Sequence, residues 1–329
     1  MNKNIIRLTI AAWVLVLVLS TLAFGFFVVG RLWGGGFPFN AMGMPFHIMG
    51  QIGKNIHVDG VGNGIFGAGN SRRNFTGYTE EQDLSITQEI SAIDLEWVSG
   101  KVKIMRSDND GIRVVHTGNQ NKDKKMMVKV ENGSLWIADK FTSFIGNIPG
   151  SDVELYLPDK LYREIDIETV SADIESVYLQ SKELDIESVS GNILLSCRAD
   201  DASLQSVSGF IRISEGQIVD LSASSVSGNL EVSGEVTRLS VESVSGTSRT
   251  TLNNLPKELD MESVSGDIHL AMPDNNGFDL STSGLKNFTS QFSITSRGND
   301  QHSYKDGGPQ LEVSTISGRF VLTMIGYKA

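Results

Sequence analysis

The sequence predicts an all-β fold, a parallel β-solenoid (β-helix) with about 18–20 residues per coil, preceded by one N-terminal transmembrane helix. Three observations lead there. An eight-residue unit recurs: Leu184-Asp-Ile-Glu-Ser-Val-Ser-Gly191 has counterparts starting at Ile93, Ile165, Ala202, Leu221, Leu239, Leu259 and Leu311. The serine before the closing small residue falls at 171, 190, 208, 227, 245 and 265, in steps of 19, 18, 19, 18 and 20 residues. A fixed period of this size marks a solenoid in which each turn is one structural unit. Each unit also alternates apolar and polar residues, the pattern of a strand with one buried face.

Such a period is too short for a strand, a crossover helix and a returning strand, yet long enough for one coil. Ser-Gly closes the alternating run, and Gly turns tightly without steric hindrance. A second alternating run follows, as in Asn192-Ile-Leu-Leu-Ser196. Stacking at about 4.8 Å lines up Val170, Val189, Val207, Val226, Val244 and Val264 as an apolar column. It lines up Ser171, Ser190, Ser208, Ser227, Ser245 and Ser265 as a hydroxyl column, each Ser donating to one neighbour and accepting from another. With Gly191, Gly209, Gly228, Gly246, Gly266 and the late Ser317-Gly318, these are read as structural repeat residues. A catalytic serine is a single residue beside a base, not the same residue on every turn.

Taken in order, residues 1–7 are short and basic, a cytoplasmic N-terminus. Residues 8–30 carry no charge and are rich in Leu, Val, Phe and Ala, enough to cross a bilayer at about 20 residues per span. Lys3 and Arg7 before the run outweigh Arg31 after it, which places the bulk of the chain outside the cell. Ala23-Phe-Gly25 resembles a signal-cleavage site, but the apolar run continues through Phe26-Phe-Val-Val29 and favours an uncleaved anchor. Residues 31–77, with 12 Gly in 47 residues, read as a flexible linker. Residues 78–160 hold short strands, turns and a charged loop, and read as an N-terminal β cap of irregular coils or a small sandwich. The 72 residues from Ser99 to Ser171 fit four further turns. Residues 161–329 carry the solenoid repeats. Asp279-Leu-Ser-Thr-Ser-Gly284 is one residue short, a polar insertion over 287–308 is expected to loop out, and 320–325 closes the chain as a final strand.

The Ser-Val-Ser-Gly units behind an N-terminal anchor resemble the bacterial putative-adhesin family, a domain of unknown function. Its members include envelope-stress accessory proteins encoded beside cell-wall-stress signalling systems in Gram-positive bacteria. The resemblance covers roughly 85–329 and implies no catalytic residues.

A net charge of −11, from 39 acidic and 28 basic residues, and the lack of a basic stripe argue against a nucleic-acid partner. Cys197 is the one cysteine and reads as a small buried residue. His47, His57, His116, His269 and His302 form no metal-ligand motif, and no cofactor is expected. Outward positions of the repeats make two columns: Asp166, Asp185, Ser203, Ser222, Ser240, Asp260, and Glu168, Glu187, Gln205, Ser224, Glu242, Glu262. They read as a solvated face. Asp166, Asp185, Glu168, Glu187, Glu242, Asp260 and Glu262 are the candidate calcium ligands, against which stand the neutral middle turns and the lack of an acidic calcium loop. Trp97, in place of the usual Ser, is expected to point inward and pack, with contact to a partner as the alternative.

No residue is singular enough to be a catalyst, so the chain reads as no enzyme. It is expected at the cell membrane, single-pass, as an adhesin-like binding or scaffolding protein of the envelope. Its expected partners are the membrane itself and another envelope protein or a cell-wall polymer. An accessory role in envelope-stress sensing is one alternative. A wall-polysaccharide hydrolase or lyase is the other; it needs two carboxylates at a defined separation, and no pair here differs from its repeat-mates.

Overall fold

Apolar–polar alternation shapes the regular elements, and among the described residues all of these are strands. The computed structural model describes residues 75–117, 126–139, 150–285, 287–298 and 300–326. The expected anchor and nearly all of the linker lie outside them. The N-terminal part contains β1 (Thr79–Glu81), β2 (Asp83–Ile86), β3 (Ala92–Arg106), β4 (Ile112–Thr117), β5 (Met126–Glu131), β6 (Ser134–Asp139) and β7 (Ser151–Leu157). The middle contains β8 (Tyr162–Ser188), β9 (Ile193–Ser206), β10 (Ile211–Ser225), β11 (Leu230–Ser243), β12 (Ser248–Leu252), β13 (Glu258–Ser263) and β14 (Ile268–Pro273). The C-terminal part contains β15 (Gly277–Ser283), β16 (Asn287–Ser290), β17 (Ile294–Ser296), β18 (Gln301–Lys305), β19 (Gln310–Thr315) and β20 (Arg319–Ile325).

The middle is the expected parallel stack. Leu184 lies beside Ala202, Ala202 beside Leu221, Leu221 beside Leu239, and Leu239 beside Leu259, in steps of 18, 19, 18 and 20 residues. Pairing shifts register between Ser176 and Leu179 in β8, and between Ile213 and Gly216 in β10. Each of these coils therefore has an irregular second bend besides its Ser-Val-Ser-Gly corner.

The corner differs from the expectation in two ways. The period of two runs on one residue further, so Leu184, Ile186 and Ser188 point inward while Asp185, Glu187 and Val189 point outward. The valine column exists but is only half-buried, and Ser188, Ser206, Ser225, Ser243 and Ser263 are the buried series. Four of the hydroxyls accept from the corner glycines: Gly191 N–H to Ser188 Oγ, Gly209 N–H to Ser206 Oγ, Gly228 N–H to Ser225 Oγ and Gly266 N–H to Ser263 Oγ, all at 2.8 Å, whereas Ser243 Oγ–H donates to the Ser245 carbonyl at 3.2 Å. A buried backbone N–H needs such a partner. The outer hydroxyls do not form a serine-to-serine chain either. Ser190, Ser208 and Ser227 donate to the carbonyl oxygens of Val170, Val189 and Val207 on the preceding coil, each at 3.2 Å.

Both ends depart from simple coil order. Ser99 pairs directly with Ser171, so the 72-residue step between them is not four stacked turns. The intervening residues leave the stack and return. β6 and β7 lie parallel along the other side of β3, with β5 and β4 antiparallel against them, and β1 and β2 antiparallel beyond. At the C-terminus β19 and β20 insert between two earlier coils. β19 pairs with β13 on one side and β15 on the other, and β20 with β14 and β16. The stretch expected to loop out forms β16, β17 and β18 instead, with β18 antiparallel to β15. A parallel stack leaves unpaired backbone at each end. Antiparallel strands cover part of it: β18 against β15, β4 against β7 and β5 against β6.

The core changes character along the stack. Ile, Leu, Val and Ala fill the middle coils, while large rings occupy the two ends. Trp97 is fully buried, as expected from alternation, with its Nε1–H donating to the Ser151 carbonyl at 2.7 Å and its ring edge-on to His116. At the other end Phe278, Phe292 and Tyr304 cluster with ring centroids 4.9–5.4 Å apart, and Phe288 stacks on Phe320 at 5.2 Å. Rings fill the wider space where a coil meets antiparallel strands, with the pair geometries rings prefer.

A two-column acidic face as the candidate functional site

Strand parity and register together build the most distinctive surface of the molecule. Outward residues at the first position of each repeat stack as Asp94 beside Asp166, Asp185 beside Ser203, Ser203 beside Ser222, Ser222 beside Ser240, Ser240 beside Asp260, and Asp260 beside Glu312. Two residues on, Glu96 pairs with Glu168, Glu187 with Gln205, Gln205 with Ser224, Ser224 with Glu242, and Glu242 with Glu262. The turn carrying Asp166 and Glu168 meets the turn carrying Asp185 and Glu187 through the Val189 N–H to Thr169 carbonyl bond and the Thr169 Oγ1–H to Ser188 Oγ bond. The face thus has one acidic cluster on its first three turns, a neutral middle, and a second cluster around Glu242, Asp260, Glu262 and Glu312.

Glu242, Glu262 and Glu312 are exposed, as expected of a solvated face, but the other carboxylates are not freely solvated. Asp166 and Asp185 are half-buried, as are Glu168, Glu187 and Asp260, because each side chain lies between those of the coils on either side. Burial first, then the negative charge of Asp94, Glu168, Asp185 and Glu187, pushes the Asp166 carboxyl up to about 8. Burial likewise raises Asp94, Glu168 and Glu187, each to about 7, with neighbouring carboxylates adding to it. Asp185 is raised by burial against an opposing hydrogen bond from Ser203. In the second cluster Asp260 rises to about 6, again through burial and then Glu262, and Glu242 and Glu262 move the same way. Desolvation and like charge both favour the neutral acid.

The sheet on the far side of the corner handles charge differently. Lys101 pairs with Glu175 at 3.0 Å, Lys103 with Glu154 at 3.4 Å, Arg212 with Glu231 at 2.8 Å and Arg319 with Asp267 at 2.8 Å. There, signs alternate from coil to coil and relieve cross-strand repulsion. Among the described residues Asp94, Asp166, Asp185, Glu168, Glu187, Glu242, Asp260 and Glu262 take part in no such ion pair. One face is therefore balanced in sign, while the charged turns of the other carry acids alone, within the same repeat.

A family model, Toastrack DUF4097, matches residues 90–323, well over half of the chain. The chain belongs to this family. The matched stretch of this Toastrack chain runs from just before β3 into β20 and so includes the coil exchange at both ends. No curated protein matches it. Among solved structures it is similar to a putative lipid binding protein from Parabacteroides distasonis ATCC 8503, at 16% identity and a TM-score of 0.43, covering 73% of this chain and 96% of that one. It is also similar to a putative adhesin from Bacteroides fragilis NCTC 9343, at 11% identity and a TM-score of 0.35, covering 73% and 95%. A putative cell adhesion protein from Clostridium sporogenes ATCC 15579 aligns at 12% identity with a TM-score of 0.24, covering 74% and 99%. Superpositions this loose assign no ligand.

In this Toastrack chain the candidate calcium ligands fall into both clusters: Asp166, Glu168, Asp185 and Glu187 in the first, Glu242, Asp260 and Glu262 in the second. Among the described residues no group of three or more His, Cys, Asp and Glu side chains is placed to hold a metal ion. Three members of the columns, Asp94, Glu96 and Glu312, were not among the candidates. The signal was present, since the units at Ile93 and Leu311 carry acids at the same offsets, but their coils are far from the others in sequence. Cys197 is fully buried, and burial pushes its thiol up to about 12.

Proposed function

We propose that the chain is a membrane-anchored, extracytoplasmic binding or scaffolding protein of the cell envelope that carries out no reaction of its own. The acidic face of the solenoid presents the binding surface, and the Gly-rich segment over 31–77 holds it away from the bilayer. One observation supports this reading: the carboxylates of the face recur in two clusters, at the same two positions of several turns, with none set apart from its repeat-mates, which suits an extended partner and not a single reacting bond. The uncharged run over 8–30 supports the anchor. Binding to another membrane protein is the form in which such a chain would assist envelope-stress sensing.

The test compares the full-length chain with a variant carrying Asp166→Asn, Glu168→Gln, Asp185→Asn, Glu187→Gln, Glu242→Gln, Asp260→Asn and Glu262→Gln. Both are used to capture partners from envelope extracts. A partner held by the first and lost from the second is the expected result. Soluble sugar released from purified cell wall would overturn the reading in favour of a hydrolase or lyase. Recovery of the full-length chain in the soluble fraction would remove the anchor.

A further inference from the structure

The first three turns of the acidic face stack like charges with nothing neutral between them. Asp94 stands beside Asp166, and Glu96 beside Glu168, across the seam between β3 and β8. Asp185 and Glu187, on the next turn of β8, act on Asp166 from its other side. Asp185 Oδ1 is enclosed without a hydrogen-bond partner. Among the described residues, no cation pairs with Asp94, Asp166, Glu168, Asp185 or Glu187. On the β6 side Trp136 is opposite Asp94 and Ala138 is opposite Glu96. Beyond them, Lys129 of β5 lies over the Trp136 ring and pairs with Glu131 at 2.6 Å. On β8, Arg163 pairs with Glu164 at 2.5 Å, and Glu164 adds its charge to the field at Asp94; Lys182 and Glu183 are exposed. On β9, Asp201 adds negative charge near Asp185, while Ser203 and Gln205 are neutral.

We propose that the seam between β3 and the two turns of β8 is a pH-responsive joint, closed while Asp94, Asp166, Glu168, Asp185 and Glu187 hold protons and loosened as they ionise. Backbone pairing joins β3 to β8 from Ala92 to Ile104 with one gap at Val98, and the amides of Val189 and Ser190 bond the second turn of β8 to the first, so the device acts by adding or removing repulsion along an existing ladder. The raised carboxyls keep protons in the folded coils at a pH where the unfolded chain has already lost them. Stability of the seam is therefore greatest in acid and falls as pH climbs from about 4 to about 8. The device does not depend on what the face binds.

The molecule holds its own control. The coil of β10 has the same backbone pairing but carries Ser222 and Ser224 at the equivalent outward positions. Hydrogen exchange of the full-length chain, followed by mass spectrometry between pH 5 and 8 and corrected for intrinsic exchange rates, separates the two. Amides of β3 and β8 are expected to lose protection by on the order of tenfold relative to those of β10. Asp94→Asn with Asp166→Asn and Glu168→Gln is expected to flatten that difference, and Ser222→Asp with Ser224→Glu to bring pH dependence to β10. Equal loss of protection in both regions of the unmutated protein, which needs no variant to fold, overturns the proposal. So does a neutralised variant that keeps the original pH dependence.

Discussion

Gly209 has room for a hydrogen and nothing larger. A Cβ there would lie 1.9 Å from the carbonyl oxygen of Gly191 on the preceding coil. Gly209→Ala must push two paired coils apart, and a loss of about 2 kcal/mol or more is expected, read as a lower urea midpoint. The serines on either side of Val226 make a sharper comparison. Ser225→Ala strips the buried Gly228 N–H of its acceptor and is expected to destabilise by about 1–3 kcal/mol. Ser227→Ala removes an exposed hydroxyl that only adds to a carbonyl already bonded to the Ser227 N–H, and the change should stay within about 0.5 kcal/mol. The same denaturant titration reads both. Equal effects would mean that the buried hydroxyl ladder does not hold the corners. Cys197, enclosed and with its thiol raised, should react with a thiol reagent only as fast as the protein unfolds.

Strand pairing turns the environment of one residue into that of a column. A lone exposed Asp at the Asp166 position would sit in water; stacked between Asp94 and Asp185, it loses solvent and gains two like charges. Its carboxyl is raised by folding, so each such group subtracts from stability above its folded pKa and ceases to do so in acid. The midpoint of thermal unfolding should therefore fall as pH is taken from about 5 to about 8. Asp166→Asn should raise that midpoint at pH 8, by about 2–4 °C for each kcal/mol of relieved repulsion, and leave it nearly unchanged at pH 5. A rise at both pH values would point to packing instead of charge. On the opposite sheet, Lys103 and Glu154 alternate in sign and are partly exposed, so Lys103→Met should change stability by no more than about 1 kcal/mol at any pH.

In a solenoid with simple coil order the last turn can be removed with little effect on the rest, since each turn contacts only its neighbours. Here β19 and β20 lie between β13–β14 and β15–β16. Ending the chain at residue 308 would empty a slot inside the stack and leave two rows of backbone groups unpaired. Such a chain is expected to aggregate or to be degraded by protease under conditions where the full-length protein resists. A soluble, resistant truncation would show that β15 and β16 can close the gap by pairing directly with β13 and β14. The N-terminal exchange has the same logic: β3 holds its place between β7 and β8, and the antiparallel strands outside it protect the end.

The sequence by itself determined the solenoid, its period and the columns of its middle coils. A turn of fixed length can contact only the turns before and after it, so register follows from counting residues: Leu184 to Ala202 to Leu221 to Leu239. The inward direction of Trp97 followed from the same alternation. The parity that buries Ser188 and turns Val189 outward was also present in the letters, but it was masked by composition, because a hydroxyl in the core is acceptable only once the Gly191 N–H that it accepts from is in place. Tertiary structure alone decided the rest. Which coil lies next to Ser99 or Ser265 is a competition between distant segments, with Ser171 and Ser317 the winners, and no local pattern encodes its outcome. The state of the acidic face is decided in the same way. Half-burial of Asp166 and the like charges stacked on it arise from neighbours one coil away in space, and electrostatic energy depends on those distances and not on the order of residues along the chain.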